Sequence, residues 1–495
     1  MILASYVGNW YDRSGRWLGA QGCLLFNNLS VAISAGLLVV SLSLSNNAET
    51  STGETVGYLA SLFGAITFCA IAMAAASGEK TAFSKDWIVV MVSSFCESET
   101  NEANSQSSQM VDSAENRAAK YTKKLSTQNA ILRVIDQFSS IVSPIVGGVI
   151  LDTLGLKATC YVMVGWNFIG WLGESFTLHW VYQRVPNLAL KKSQPKVDGQ
   201  TQKGPAMSIF GMLKLYFGQA VFPAAFGLAL LYMTVLAFDG ISISFGQKQG
   251  LDSTILGVFQ AIGASLGMLA AIGFPAITSW LGLHKGAFLG LSEELACLGI
   301  CVVSVFLPGS PFDLSGYFGS LTWHDWWKTF VDTFDASSAD KKTTNSTGMN
   351  WSDFTVNHES AASLFTLYSG IALARFGLWL TDLAITQLMQ ESIEESLRGT
   401  IFGVETAFCQ FFSVAKDVIA ILLPDSKTFG LLVFVSVCAV GTAFLLFFCF
   451  QIKKLTAEAR VADQVHPVTQ IQVDTVDDTI PAVLKSNKNS FGTFE

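Results

Sequence analysis

Ten polar or ionised side chains stand inside stretches otherwise built of apolar residues: Asn27, Asp136, Gln137, Asn167, Glu174, Asp239, Asp382, Gln387, Lys416 and Asp417. A group of this kind is costly against hydrocarbon, so it is normally kept for a cavity, an ion path or an interhelical hydrogen bond. A hydrogen bond, or reach toward an interface, accounts for any one of them; ten in one bundle point to an aqueous pathway. Other constellations carry less. Cys297 and Cys301, at i and i+4, could turn two thiols toward one metal, but no His or carboxylate is counted beside them at ligand spacing, and they read as packing residues. Gly263-Ala-Ser-Leu-Gly267 spells a serine-nucleophile elbow. That elbow needs a strand, a turn and a helix with His and acid partners, and inside an apolar run the same letters read as a small-residue packing face. The five His residues lie near run ends, loops or the tail, with no His-Glu-x-x-His pair. No catalytic centre and no catalytic cofactor is legible, and the chain is not expected to be an enzyme.

The elements that position these residues are set by composition. Of 495 residues, 51% are hydrophobic and 14% charged, against about 25% charged in an ordinary soluble domain. Ten apolar runs, near 17–45, 54–78, 128–150, 158–183, 216–247, 253–279, 283–307, 360–390, 398–423 and 427–450, are long enough to cross a bilayer. This excludes a soluble enzyme, a fibrous repeat and a disordered chain. The net charge of −8 leaves no broad cationic surface for nucleic acid, and the nine scattered Cys residues form no disulfide framework. The opening residues 1–8 would rise only about 12 Å as a helix and read as the tail of a helix, while 87–95 reads as interfacial.

Basic residues cluster in alternate connections: Arg13 and Arg16; Lys80, Lys85, Arg117, Lys120, Lys123 and Lys124; Arg184, Lys191, Lys192, Lys196 and Lys203; Lys453, Lys454 and Arg460. By the positive-inside rule these face the cytoplasm. Segment 308–359 then falls outside, and it carries two glycosylation sequons, at Asn345 and Asn350. The expected organisation is an N-terminal lobe at 1–183, a cytoplasmic linker at 184–215, a C-terminal lobe at 216–452 with the extracellular loop 308–359, and a cytoplasmic disordered tail at 453–495. The Ser/Glu/Asn-rich insert 97–116, the linker stretch 190–206 and the tail 461–495 are expected to be unstructured.

Gly8-Asn9-Trp10-Tyr11-Asp12-Arg13-Ser14-Gly15-Arg16 resembles the loop motif of major facilitator transporters. Gly allows a tight turn and close helix approach, and Asp12 and Arg13 can form ion pairs that hold inward helix ends together and release them on opening. Longer strings resemble the ferroportin family of ferrous-iron exporters: Lys85-Asp86-Trp-Ile-Val-Val, Arg133-Val-Ile-Asp136-Gln137, Gly165-Trp-Asn167, Leu231-Tyr-Met-Thr-Val-Leu-Ala-Phe-Asp239, Phe306-Leu-Pro-Gly-Ser-Pro, Gly377-Leu-Trp-Leu-Thr-Asp382 with Thr386-Gln387, and Arg398-Gly399.

The resemblance implies an all-α membrane protein of major facilitator type, two six-helix lobes around a central cavity, multi-pass in the cell membrane and acting as a monomer. It implies Fe2+ as substrate, bilayer lipid as partner, and Ca2+ as a modulator held at Asn27, Asn167 and Glu174. Asn27 stands where animal members have Gln, while Asn167 and Glu174, at i and i+7, share one helical face. It implies inward gating by Asp12, Arg13, Asp86, Asn129, Arg133, Asp136, Gln137 and Arg398. Two departures follow. The family's first helix, with the N-lobe metal residues, has no counterpart here, and a truncated gene model is the expected cause. In the C-lobe, where Asp239 is the expected metal residue, the family's Cys and His are replaced by Gly240 and Lys416, so recognition of a hepcidin-type peptide is not expected. The alternatives are a transport-incompetent membrane protein of this family and an exporter of another divalent metal.

Overall fold

The computed structural model describes residues 2–44, 52–106, 114–190, 207–320, 322–334, 349–356 and 359–477. The first half holds α1 (Ile2–Arg13), α2 (Arg16–Leu44), α3 (Thr52–Lys80), a π-helical turn (Thr81–Trp87), α4 (Ile88–Gln106) and α5 (Ala114–Arg184). The second half holds α6 (Ile209–Phe217), α7 (Phe222–Leu230), α8 (Gly240–Lys248), α9 (Ser253–Leu281), α10 (Leu283–Val305), α11 (Leu314–Ser320), α12 (Trp323–Phe334), α13 (Ala362–Ser392), α14 (Arg398–Leu422) and α15 (Phe429–Asp477). A small antiparallel sheet, Met349–Asn350, Thr355–Val356 and Glu359–Ser360, closes the long loop before α13.

Among the described residues, seven helices are long and apolar enough to cross a membrane, or eight if the bent pair α6 and α7 counts as one. Ten were expected, and three local causes explain the difference. The runs 128–150 and 158–183 lie in one helical element, α5, broken only at Gly155, whose φ of 76° suits glycine. The run 398–423 is helical as α14, but Glu405, Lys416 and Asp417 dilute its hydropathy. The run 216–247 is not one helix. It bends by 110° between α6 and α7, near Gly218 and Pro223, and unwinds over residues 234–239.

Backbone freed inside a bilayer must find partners, and it does. Ser436 Oγ accepts from Val235 N at 2.9 Å, Thr234 Oγ1 accepts from Leu236 N at 3.0 Å, and Arg375 Nη2 donates to Leu236 O at 3.2 Å. Helix formation resumes at α8, where the Asp239 carboxylate caps Ser242 N at 3.3 Å.

Two stretches, the insert and the tail, are more ordered than composition suggested. The insert is helical up to Gln106 and again from Ala114; Glu99 links to Lys120 at 2.7 Å and to Lys124 across the connection. Residues 107–113 lie outside the described residues. α6 starts at Ile209, within the expected linker, capped by Ser208 Oγ, which accepts from Gly211 N at 3.3 Å. α15 continues to Asp477, within the expected disordered tail, while 191–206 and 478–495 lie outside the described residues. In the stretch 87–95, which ends the π-helical turn and opens α4, Trp87 and Val92 are buried, in two small clusters of the first half. A much larger apolar cluster runs through α6 to α15.

Candidate gate and ion cavity

The π-helical turn puts extra backbone between α3 and α4 and re-aims the residues after it. Asp86 and Trp87 are thereby buried at the meeting point of α1, α2 and α14. Asp86 Oδ2 accepts from Tyr11 Oη at 2.8 Å and from Arg16 Nε at 2.8 Å, and Asp86 Oδ1 accepts from Arg398 Nη1 at 3.2 Å. Arg16 also pairs with Glu395, and Arg398 Nη2 donates to the Gln390 and Ile393 carbonyls at 3.3 and 3.4 Å. One buried carboxylate therefore holds two guanidiniums, one from each half of the chain, with every partner a charge-assisted donor or a phenol. Such a group is stable only while the set is complete, because removing a partner leaves buried charge uncompensated.

Beside it, α1 crosses α14 closely enough that a Cβ on Gly399 would stand 2.8 Å from Gly8 O. The Asp12 carboxylate accepts from the backbone N–H groups of Gly399 and Thr400 at the start of α14, where a helix N-terminus favours an anion. Asn9 Nδ2 donates to Thr400 Oγ1 at 3.2 Å. Arg13 ends α1, half-buried.

A second seam joins α5 to α13. Asn129 Nδ2 donates to Gln390 Oε1 at 2.7 Å, Ser126 Oγ donates to Gln387 Oε1 at 2.9 Å, and Arg133 is ion-paired with Asp382. Arg133 also reaches Asp136 at 3.1 Å and lies 4.3 Å over the Trp379 ring, while Lys80 pairs with Asp136 at 3.2 Å. Lys85 crosses the same divide, donating to Thr386 Oγ1 at 3.1 Å. Gln137 lies one turn beyond Arg133, half-exposed.

The C-terminal cavity residues also come together. Lys416 is ion-paired with Asp239, and Asp417 Oδ1 stands 3.8 Å from the same ammonium. Gly240 has open space where a side chain would project. It lines a pocket of about 300 Å3 with Ser244, Lys248, Asp417 and Asp425.

The expected calcium residues are only partly assembled. Asn27 Nδ2 donates to Glu79 Oε2 at 3.0 Å, and Glu79 lies within electrostatic reach of the exposed Glu174. Asn167 instead turns its amide back to Met163 O at 2.8 Å. Asn27, Glu79 and Glu174 bring oxygen ligands of the type a hard cation takes. Among the described residues no group of three or more His, Cys, Asp or Glu side chains is placed to hold a metal.

Of the sequons, Asn350 is exposed on the first strand, its Oδ1 accepting from Ser352 N at 3.1 Å; Asn345 lies outside the described residues. Ser265 sits within α9 and donates to Ala261 O at 2.8 Å. Side chains at Gly263 and Gly267 would meet Phe238 and Trp379, so this is a packing face and not an elbow. Cys297 does have a carboxylate at helical spacing, contrary to the sequence reading: Glu293 Oε1 accepts from its thiol at 3.1 Å. Arg16, Tyr11, Glu395, Gln390 and Glu79 were missed. Arg16 stood in the loop motif, and Gln390 lies at i+3 from Gln387; nothing in the sequence singled out Glu79.

The Ferroportin1 (FPN1) family model matches residues 1–112 and 117–440. Ferroportin of Mus musculus is 30% identical over 95% of this chain and 87% of its own length, and that of Homo sapiens 29% identical over 91% and 82%. A crystal structure of a bacterial homologue of iron transporter ferroportin, in an outward-facing state with soaked iron, superposes with a TM-score of 0.63 at 19% identity, covering 91% of this chain and 86% of that one. The fold is thus of major facilitator type, and the chain belongs to the Ferroportin1 family of multi-pass membrane transporters, which are not enzymes.

Proposed function

We propose that the chain exports Fe2+ across the cell membrane by alternating access, with the Asp86 cluster as the inward gate. The observation that carries this reading is that Asp86 binds Arg16 of the first half and Arg398 of the second at the helix ends assigned to the cytoplasm. A charged cluster shared between two halves is complete when they meet and broken when they part, which makes it a two-state element. The names of the relatives support iron as cargo. The lobes of this reading are 1–183 and 216–452, with 308–359 outside and 453–495 inside. Residues Asn27, Glu79 and Glu174 would hold Ca2+ as a modulator, Asn167 joining if it releases Met163. Such an ion biases the two states only through unequal affinity for them. Release of iron from loaded cells expressing the full-length chain tests the reading, with Asp86→Ala as the gate-defective control.

A second reading, an exporter with altered metal preference, draws on Lys416. A cation fixed on Asp239 fills the C-lobe position where the resemblance expects metal, so cargo would not be held there as the resemblance implies. Gly240 offers no thiol to a hepcidin-type peptide. Competition of Co2+ and Mn2+ against iron efflux separates the two readings.

A further inference from the structure

The long loop before α13 contains a short helix, α12, outside the gate and the cavity. In α12, Trp-His-Asp-Trp-Trp-Lys-Thr-Phe-Val-Asp-Thr-Phe, the residues Trp323, Trp326, Trp327, Phe330 and Val331 recur at i, i+3, i+4, i+7 and i+8, one helical face. His324, Asp325, Lys328 and Thr329 occupy the other face. The rings run as a stack, Trp323 to Trp326 at 5.1 Å and Trp326 to Phe330 at 5.1 Å between centroids. One edge of this stack is docked: Trp326 Nε1 donates at 3.0 Å to the carbonyl of Leu422, the last residue of α14. The other edge is bare, with Trp323 75% exposed, Trp327 52% and Val331 45%.

That bare edge continues an apolar row exposed along α14. Along α14, Val414, Val418, Ile421 and Leu422 are exposed at i, i+4, i+7 and i+8 and lead to the point where Trp326 docks. Indole is apolar in its rings and polar at its N–H, so it prefers the headgroup level of a bilayer. The polar face balances acidic Asp325 against Lys328, so charge attraction to anionic lipid is not what would hold it.

We propose that α12 lies flat in the headgroup layer beside the Leu422 end of α14, with Trp323 and Trp327 inserted as anchors for the loop. The occupant of the aromatic edge is bilayer lipid, recognised by its interface and not by its charge.

Fluorine NMR on the full-length chain in phosphatidylcholine nanodiscs tests this, with tryptophan replaced biosynthetically by fluorotryptophan. Trp323→Phe and Trp327→Phe assign the two resonances, and both are surface changes that leave the core intact. Both signals should be broadened by a lipid carrying a nitroxide near its headgroup, should resist a water-soluble gadolinium chelate, and should behave alike at low and high salt. Broadening by the chelate alone would put the helix in water, and shielding from both probes would mean that protein covers it; either result overturns the proposal. So would lipid contact that is lost at high salt, which would make the attraction electrostatic.

Discussion

Asp86 and Arg398 lie 312 residues apart in the chain and form an ion pair at 3.2 Å with both side chains at most 8% exposed. Arg16 completes the group, donating to both oxygens of the same carboxylate. Burial makes this contact decisive: breaking one side of a buried pair costs about 3–5 kcal/mol, and each 1.4 kcal/mol is tenfold in a population.

Asp86→Asn should therefore weaken the closed inward gate by about a hundredfold or more, since about 3 kcal/mol is lost and two guanidiniums are left sharing a neutral amide. Distances between spin labels on the gate ends of α2 and α14 should shift toward the open distribution. An unchanged distribution would show that the seam between α5 and α13 holds the gate by itself.

Lys416 should exclude a divalent ion from the C-terminal cavity. Unit charges about 4 Å apart interact by about 4 kcal/mol at an effective dielectric of 20, so a dication beside a protonated Lys is opposed by roughly 8. Lys416→His with Gly240→Cys should create a second Co2+ site in a titration, and the thiolate should add an ultraviolet charge-transfer band. Strong wild-type binding that vanishes in Asp239→Ala, with no gain in the double variant, would mean that the cavity binds metal through oxygen.

Calcium should bind through the Glu79 and Glu174 carboxylates. Glu79→Gln and Glu174→Gln should each weaken binding by at least tenfold in calorimetry, a loss of about 1.4 kcal/mol per variant. Equal affinity in Glu79→Gln would remove that residue from the site.

Asn345 and Asn350 should carry glycans. Glycosidase treatment should shift the mobility of the wild type but not of Asn345→Gln with Asn350→Gln. A shift that persists in the double variant would contradict the assignment of 308–359 to the outside.

Much of this was legible because the bilayer restricts what a sequence can do. Apolar runs became helices, and the Asp239–Lys416 pair follows from two opposite charges that hydrocarbon would otherwise penalise. Asp86, Asn129, Arg133 and Arg398 lie in contacts between the two halves. What the sequence hid was geometry set by neighbours. The unwound stretch at 234–239 looks like a continuous apolar run, because the Ser436 and Arg375 groups that satisfy its backbone lie 201 and 139 residues away in the chain. Arg16 reads as one charge in a turn, and only the π-helical turn after Lys80 brings it to Asp86. Glu79 sits near the end of α3 like an ordinary surface acid, until packing sets it against Asn27. Asn167 shows the converse: sharing a face with Glu174 did not stop its amide from bonding within its own helix.

The most direct test of the central claim is Fe2+ flux through the purified full-length chain in liposomes holding an iron-quenched dye. Wild-type protein should move Fe2+ well above empty vesicles, and Asp86→Ala should lose most of that rate while still folding and binding metal. Correctly folded wild-type protein that moves no Fe2+, or an Asp86→Ala variant that transports at the wild-type rate, would contradict it.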